Sequence, residues 1–445
     1  MARISSKLRF LMQTLVPGPG LRFVVGSGEY NYSAARLNTP RGLRPGDLMA
    51  SLDVGTASIH TVIGRMEKNA KVAILGVGQS KAKGWHMGEV VNEPEATDSL
   101  KRAIGLAEIT AGCRLPPIIL GLNGLAIRKR HFPDERLAMK GFDSGTALEH
   151  RHTRILHMHR RNGESGQAAG VMVVSASERK LQQCLQCFWR LNIRVKEIHW
   201  SPFSLGRSLM PDGDQQPDVM LVDMGGARTS AVIYQAGQLN DAFSLNTGGS
   251  DITSDIAVML GISVHDAEKL KCREGVATEK DSDGYQQLYL PYNLRSRHNI
   301  EVIYHIELAR CIEHRLHRIF RSLRREMQAA MGVHYRPDHI LLTGGGVALT
   351  GIEALVTAVF SAPCRVVGPA AITGLDDDII ALQISAGVGL LKLNNIGGVT
   401  GYHPQEPQVR RFNRWWRPSY KSLPFVRPRD YSTRTQAGTE IPPAF

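Results

Sequence analysis

VMLVDMGGARTSAVIY, residues 219–234, sets an acid and two glycines between two apolar runs, and LMASLDVGTASIHTVIG, residues 48–64, repeats the arrangement. Aliphatic and β-branched runs broken by Asp and Gly read as β-hairpins with a tight acidic turn. The two stretches start 219 − 48 = 171 residues apart. Solenoid repeats recur every 20 to 50 residues or so, about a third of that spacing or less, so the pattern predicts two related lobes. A third stretch, HILLTGGGVALTGIEALVTAVF (residues 339–360), runs from a strand through three glycines into a helix. Glycines there admit a ligand against backbone that any Cβ would exclude.

Phosphates held without a lysine-bearing P-loop need backbone N–H groups exposed by small residues, and carboxylates that hold hydrated magnesium. The two hairpins supply both. Asp53, Gly55 and Thr56 would cradle one side of a phosphate chain, and Asp223, Gly225 and Gly226 the other. Asp53 and Asp223 are the candidate magnesium residues, acting through water, and Gly344, Gly345 and Gly346 would lie against adenosine. No G-x-x-x-x-G-K-[ST] motif occurs, which excludes a P-loop enzyme. A single Asp-Gly turn would say little, because hairpins use these residues for conformation alone. Two copies followed by a triple glycine, in this order, point to ATP with Mg2+ in a cleft between lobes.

At 445 residues and 42% hydrophobic, the chain can bury one large two-lobed core. Lys and Arg exceed Asp and Glu by 54 − 41 = 13, but the ends carry most of the excess. Residues 1–47 hold seven basic against two acidic residues and residues 402–445 eight against three. The middle is nearly balanced, so no nucleic-acid partner is expected. Residues 1–47, broken by Pro17, Pro19, Pro40 and Pro45, read as a disordered basic extension. Cys113, Cys184, Cys187, Cys272, Cys311 and Cys364 lack the second pair a zinc site needs, and are expected to be buried reduced thiols.

Periodicity predicts helices over Glu95–Ala111, Glu178–Leu191 and, longest, Asn299–Met331, whose arginines fall off the apolar stripe and read as a solvated face. Residues 128–167 are polar and His-rich, without clear period; His150, His152, His157 and His159 lack an acid or thiol to complete a metal shell.

In this order the three motifs resemble those of the actin/Hsp70/sugar-kinase ATPases, and the chain further resembles the FtsA family of bacterial cell-division proteins. The stretches GWHMGEVVNEPEATDSLKRAIGLAEITAGC (residues 84–113), LNTGGSDITSDIAVMLGISVHDAEKLK (245–271), RHNIEVI (297–303) and ISAGVGLL (384–391) carry that resemblance, collinear over Leu48–Leu393. It implies an α/β, actin-like (ribonuclease H-like) two-lobed ATPase fold with a reduced 1C-type insertion. The boundaries it implies are a first lobe over 48–122, the insertion over 123–170, a return to the first lobe over 171–215, and a second lobe over 216–393 with its 2B part at 253–333. By resemblance, Gly248 and Gly249 approach the nucleotide, and Glu268 and Lys271 contact ribose and base. It also implies an adaptor that ties the FtsZ ring to the cytoplasmic face of the bacterial inner membrane at the division septum. Its partners would be the FtsZ C-terminal tail, sought near Arg297, Asn299 and Val302, other copies of itself in filaments, and later division proteins. The chain departs from the family where it has Ser58 for a lysine and Ala227, Arg228 and Ser230 in the second turn, so weak or absent hydrolysis is expected. A small-molecule kinase of the same fold, or a pilus-assembly ATPase-like adaptor, are the alternative readings.

After a linker at 394–408, residues 409–417 set Val409, Phe412 and Trp416 three and four apart, with Trp415 beside them and Arg410, Arg411, Arg414 and Arg417 around them. Such a helix suits an anionic lipid surface, each arginine contributing about 1 kcal/mol. Pro418 ends it, and residues 418–445 read as a disordered tail.

Overall fold

The computed structural model describes residues 48–67, 71–124, 127–135, 137–138, 153–162, 168–210, 217–289, 302–375, 377–393, 402 and 404. The basic extension, Arg297, Asn299, and the segment with Arg410, Arg411, Phe412, Arg414, Trp415 and Trp416 lie outside the described residues.

Two sheets organise the chain, with strands numbered along it. The first has the order β10-β6-β1-β2-β3-β18: Val195–Trp200, Ile118–Leu122, Leu48–Val54, Ser58–Met66, Val72–Lys81 and Ile372–Thr373. The second has the order β13-β12-β11-β16-β17: Gln238–Leu245, Thr229–Gln235, Val219–Met224, His339–Thr343 and Cys364–Val366. In each, an antiparallel hairpin bearing the acid leads, with Asp53 opposite His60 and Asp223 opposite Ser230, and a parallel strand lies beside its first arm. Parallel strands are covered on both faces, and β11 shows it. Val219 and Leu221 enter one core while Met220, Val222 and Met224 enter the other.

Helices cover the sheets where the sequence makes room. Glu93–Ala111 starts at Asn92, whose side chain accepts from Glu95 N, carries Pro94 in its first turn and ends at left-handed Gly112. It lies directly on β3, where a Cβ on Gly78 would come 1.9 Å from the Ala103 carbonyl oxygen. Two further helices, Ser201–Leu209 and Ser385–Leu393, pass between the lobes and cross where a Cβ on Gly389 would meet Ser204 O at 2.0 Å. Ser204 Oγ donates to Ala386 O at 2.8 Å, and Ser51 Oγ to Gly387 O at 2.7 Å, fastening this crossing to the first sheet.

Three expectations need correction. The long helix spans His305–Met331, not Asn299–Met331, because Val302–Tyr304 is a strand, β15, paired with β14 (Gln287–Tyr289). Its β-branched and aromatic residues suit that role, and Glu307 accepts from Tyr304 N to cap the helix there. Residues 128–167, without a period in the sequence, contribute β7 (Ile127–Phe132) and β8 (Thr153–Asn162), which flank β9 (Ala168–Ser177) in a small sheet reaching past residue 170. Apolar β9 carries most of the burial, with Met172, Val173 and Val174 fully buried and Leu156 of β8 joining them, so β7 can stay polar. Cys272 is exposed and Cys311 half-buried rather than buried, Cys272 because it sits on the polar face of the helix Val264–Glu274. A minor ribbon pairs β4 (Trp85–His86) with β5 (Glu89–Val90).

Candidate functional site

The two acidic turns meet. A Cβ on Gly226 would come 2.6 Å from the Ala57 Cβ, and Ala227 N donates to Thr56 Oγ1 at 3.0 Å, so each lobe contributes one jaw. Asp53 stands in β1 and Asp223 in β11, on different sheets. Burial pushes the Asp53 carboxyl from its ordinary 3.8 up to about 6, partly opposed by the hydrogen bond that Ser201 Oγ donates at 2.5 Å. Burial, and then the charge of Asp53, push Asp223 up to about 7. Two carboxylates from separate lobes thus share one poorly hydrated space, an arrangement that a cation between them would relieve.

The second lobe builds the rest. Gly344 has φ of +92°, a conformation that favours glycine, and a Cβ there would stand 2.2 Å from Asp223 Oδ1. A Cβ on Gly346 would stand 2.8 Å from Met224, so the triple glycine closes on the strand that bears Asp223. A Cβ on Gly345, by contrast, would make only a 3.4 Å contact, with the Gln383 side chain. The helix Gly249–Leu260 points its first N–H groups at the second turn, Gly249 N donating to Gly225 O at 2.9 Å and Ser250 N to Gly226 O at 2.6 Å. Gly248 fits beneath because a Cβ would strike both carbonyl oxygens. Lys271 Nζ donates to Gly249 O, Thr253 Oγ1 and Glu268 Oε2, tying the next helix to this N-terminus. Burial pushes the Glu268 carboxyl up, but the bonds from Lys271 and Thr253 outweigh it and hold it below the ordinary range.

The structure therefore gathers Asp53, Gly55, Thr56, Asp223, Gly225, Gly226, Gly248, Gly249, Glu268, Lys271 and Gly344–Gly346 around one cleft, while Val302 lies elsewhere, on β15. Sequence reasoning missed Ser201. Its hydroxyl reaches Asp53 because β10, which it follows, lies two strands from β1 across β6. The Ser-Pro pair marks a helix start, but nothing in it names Asp53 as the partner.

This topology is shared. The sequence model described as "Cell division protein FtsA" matches residues 220–389. The cell division protein FtsA of Pseudomonas aeruginosa is 25% identical over 412 residues, covering 84% of this chain and 98% of its own. FtsA of Bacillus subtilis is 25% identical over 376 residues, covering 78% and 83%. This is an FtsA-like chain. Its fold is actin-like: a solved chain from the "PilM-PilN type IV pilus biogenesis complex" superposes with a TM-score of 0.59 at 16% identity, over 78% of this chain and 98% of that one. Against the FtsA-like frame, both departures in the turns have structural consequences. Ser58 Oγ lies 3.3 Å from His60 Nε2, and burial lowers that imidazole to about 4, so no cation stands in the first turn near neutral pH. Ser230 Oγ shares a 2.7 Å hydrogen bond with Ser244 and accepts from Asn123 Nδ2 at 2.8 Å, which fixes it as a contact between lobes.

Proposed function

We propose that this chain binds ATP with Mg2+ between its lobes and serves as an adaptor that ties the FtsZ ring to the inner face of the cytoplasmic membrane at the septum. The observation that carries the nucleotide reading is the meeting of Asp53 and Asp223 from opposite lobes, both raised by burial, where the two turns touch. The residues present suit the ligand: Gly344 and Gly346 stand where a Cβ would crowd Asp223 and Met224, and neither Asp53 nor Asp223 has an opposing cation within ion-pair distance among the described residues. Asp53 and Asp223 would hold hydrated Mg2+, Gly225 and Gly226 would offer backbone to phosphate, and Gly344–Gly346 with Glu268 and Lys271 would take the nucleoside. Bound magnesium would neutralise phosphate charge. With Ser58 in place of a lysine and Ser230 locked into hydrogen bonds, binding with little turnover is the expected behaviour.

For the FtsZ tail, Val302 supports the second-lobe surface around β14 and β15, where Tyr285, Tyr289, Val302 and Tyr304 are all exposed. Tyr285 and Tyr304 pack edge to face at 5.6 Å, a preformed aromatic platform with Arg297 and Asn299 in the adjoining sequence. Among the described residues no helix is long and apolar enough to cross a membrane, so the anchor falls to Phe412, Trp415, Trp416 and the arginines around them, on anionic lipid. Filament formation and contact with later division proteins belong to the same reading. A fluorescent fusion in dividing cells tests it: a mid-cell band, lost on deleting residues 409–417, is expected. Diffuse fluorescence of the full chain at normal expression overturns the adaptor reading.

A further inference from the structure

One buried cation in the site leaves two of its three guanidinium nitrogens without a hydrogen-bond partner among the described residues. Arg228, the residue that closes the second acidic turn, is 9% exposed, and its Nε and Nη2 are inaccessible and without a hydrogen-bond partner among the described residues. A guanidinium is charged at any ordinary pH, so this is a largely desolvated positive charge with no ion pair to compensate it. Burial lowers its proton affinity, and Glu89 acts against that. Glu89, however, is held by Lys180 Nζ at 2.8 Å and forms no ion pair with Arg228.

Its position explains what it is for. Arg228 O accepts from Gly225 N at 2.8 Å, and its own N would stand 3.0 Å from a Cβ on Gly248, so its backbone is part of the phosphate cradle. Its side chain feels the charge of Glu89 on β5, and it stands two residues before Ser230, whose hydroxyl meets Asn123 of the first lobe. The triple glycine packs on Met224 and Gly225 from within the second lobe. A nucleotide with its nucleoside at Gly344–Gly346 would run its phosphate chain toward the first lobe, the side that Arg228 faces.

We propose that Arg228 receives the terminal phosphoryl group of the bound nucleotide, making it a specificity-determining residue that favours a triphosphate over a diphosphate. The assignment rests on the nucleotide reading above. It supplies at the second turn the positive charge that Ser58 does not supply at the first. A guanidinium already stripped of water and held by the fold suits a phosphate, because little reorganisation remains when the anion arrives. The Ala227–Thr56 bond joins the jaws at the residue before Arg228, so a phosphate held there would sit beside the contact between them.

Titration calorimetry on the full chain with Mg2+ and either ATP, a non-hydrolysable triphosphate analogue or ADP tests this in wild type, Arg228→Met and Arg228→Lys. For Arg228→Met, triphosphate affinity falls on the order of tenfold to a hundredfold while ADP affinity changes less than about threefold. Arg228→Lys recovers part of the preference, since a point charge replaces a two-pronged one. In nucleotide-free buffer the melting temperature of Arg228→Met rises, because an uncompensated buried charge is gone. Equal losses for ATP and ADP, or an unchanged ATP-to-ADP ratio, overturn the assignment and leave Arg228 a structural contact between lobes. Failure of wild type to bind either nucleotide overturns the nucleotide reading itself, and this proposal with it.

Discussion

The two acidic hairpins are the same piece of chain folded twice, yet they differ in how their charge is managed. In the first, Asp53 is fastened by Ser201 and its turn carries no cation. In the second, Asp223 feels Asp53 as well as burial, and its turn ends on buried Arg228, which has two guanidinium nitrogens without a hydrogen-bond partner among the described residues. On the proposed reading, duplicated backbone fixes where ligand atoms would go, while the residues two to five places after each acid decide which jaw would supply attraction. Of the two turns, only the second carries a basic residue, Arg228.

Removing the acids probes that division most strongly. Asp53→Ala and Asp223→Ala should each weaken Mg–ATP binding on the order of a hundredfold, read by titration calorimetry. Equal losses fit one ion shared between jaws, whereas a loss confined to one variant breaks the pairing. The next effect is on stability. Both carboxyls sit above their ordinary 3.8 when folded, so the stability tied to their protonated forms is complete below about pH 4 and is lost as pH rises through about 6 and 7. The melting temperature of the nucleotide-free protein should fall across that window. Asp223→Asn should flatten the fall and stabilise by about 1–2 kcal/mol near pH 8. Asp53→Asn should gain less, because Ser201 then donates to an amide rather than a carboxylate.

The turn glycines separate the hairpins sterically. A Cβ at Gly55 would meet Ser58 O at 2.6 Å, but at Gly225 it would meet Arg228 O at 3.2 Å. Gly55→Ala should cost about 1–3 kcal/mol in denaturant unfolding, and Gly225→Ala under about 1 kcal/mol. Smallest of all, Ser58→Lys should tighten ATP binding about threefold, with a gain that fades in high salt.

The hairpins and the triple-glycine turn were legible because their information is local: period-two apolar arms, an acid, and small residues where backbone must approach a ligand. The helix Glu93–Ala111 was legible for the same reason, through its alanine and leucine stripe. What the sequence hid is set by partners distant along the chain. IRKRHF, which forms β7, has no apolar face of its own, since β9, with Leu156 of β8, supplies the burial of the small sheet. Ser201 gains its role only once β10, β6 and β1 lie side by side. Val302 was read as helix because the apolar spacing of the helix behind it runs back into β15 without a break.

The small sheet has a mechanical consequence. Lys129 of β7 donates to buried Asp241 of β13 at 2.7 Å, and His159 of β8 lies 2.8 Å from Leu239 O, while His157 of β8 accepts from Trp200 N at 3.0 Å. The same three strands therefore grip the edge of one sheet and the end strand of the other. They act as a strut between the two sheets, and a neighbouring molecule that pulled on the strut would load both lobes without touching either acidic turn.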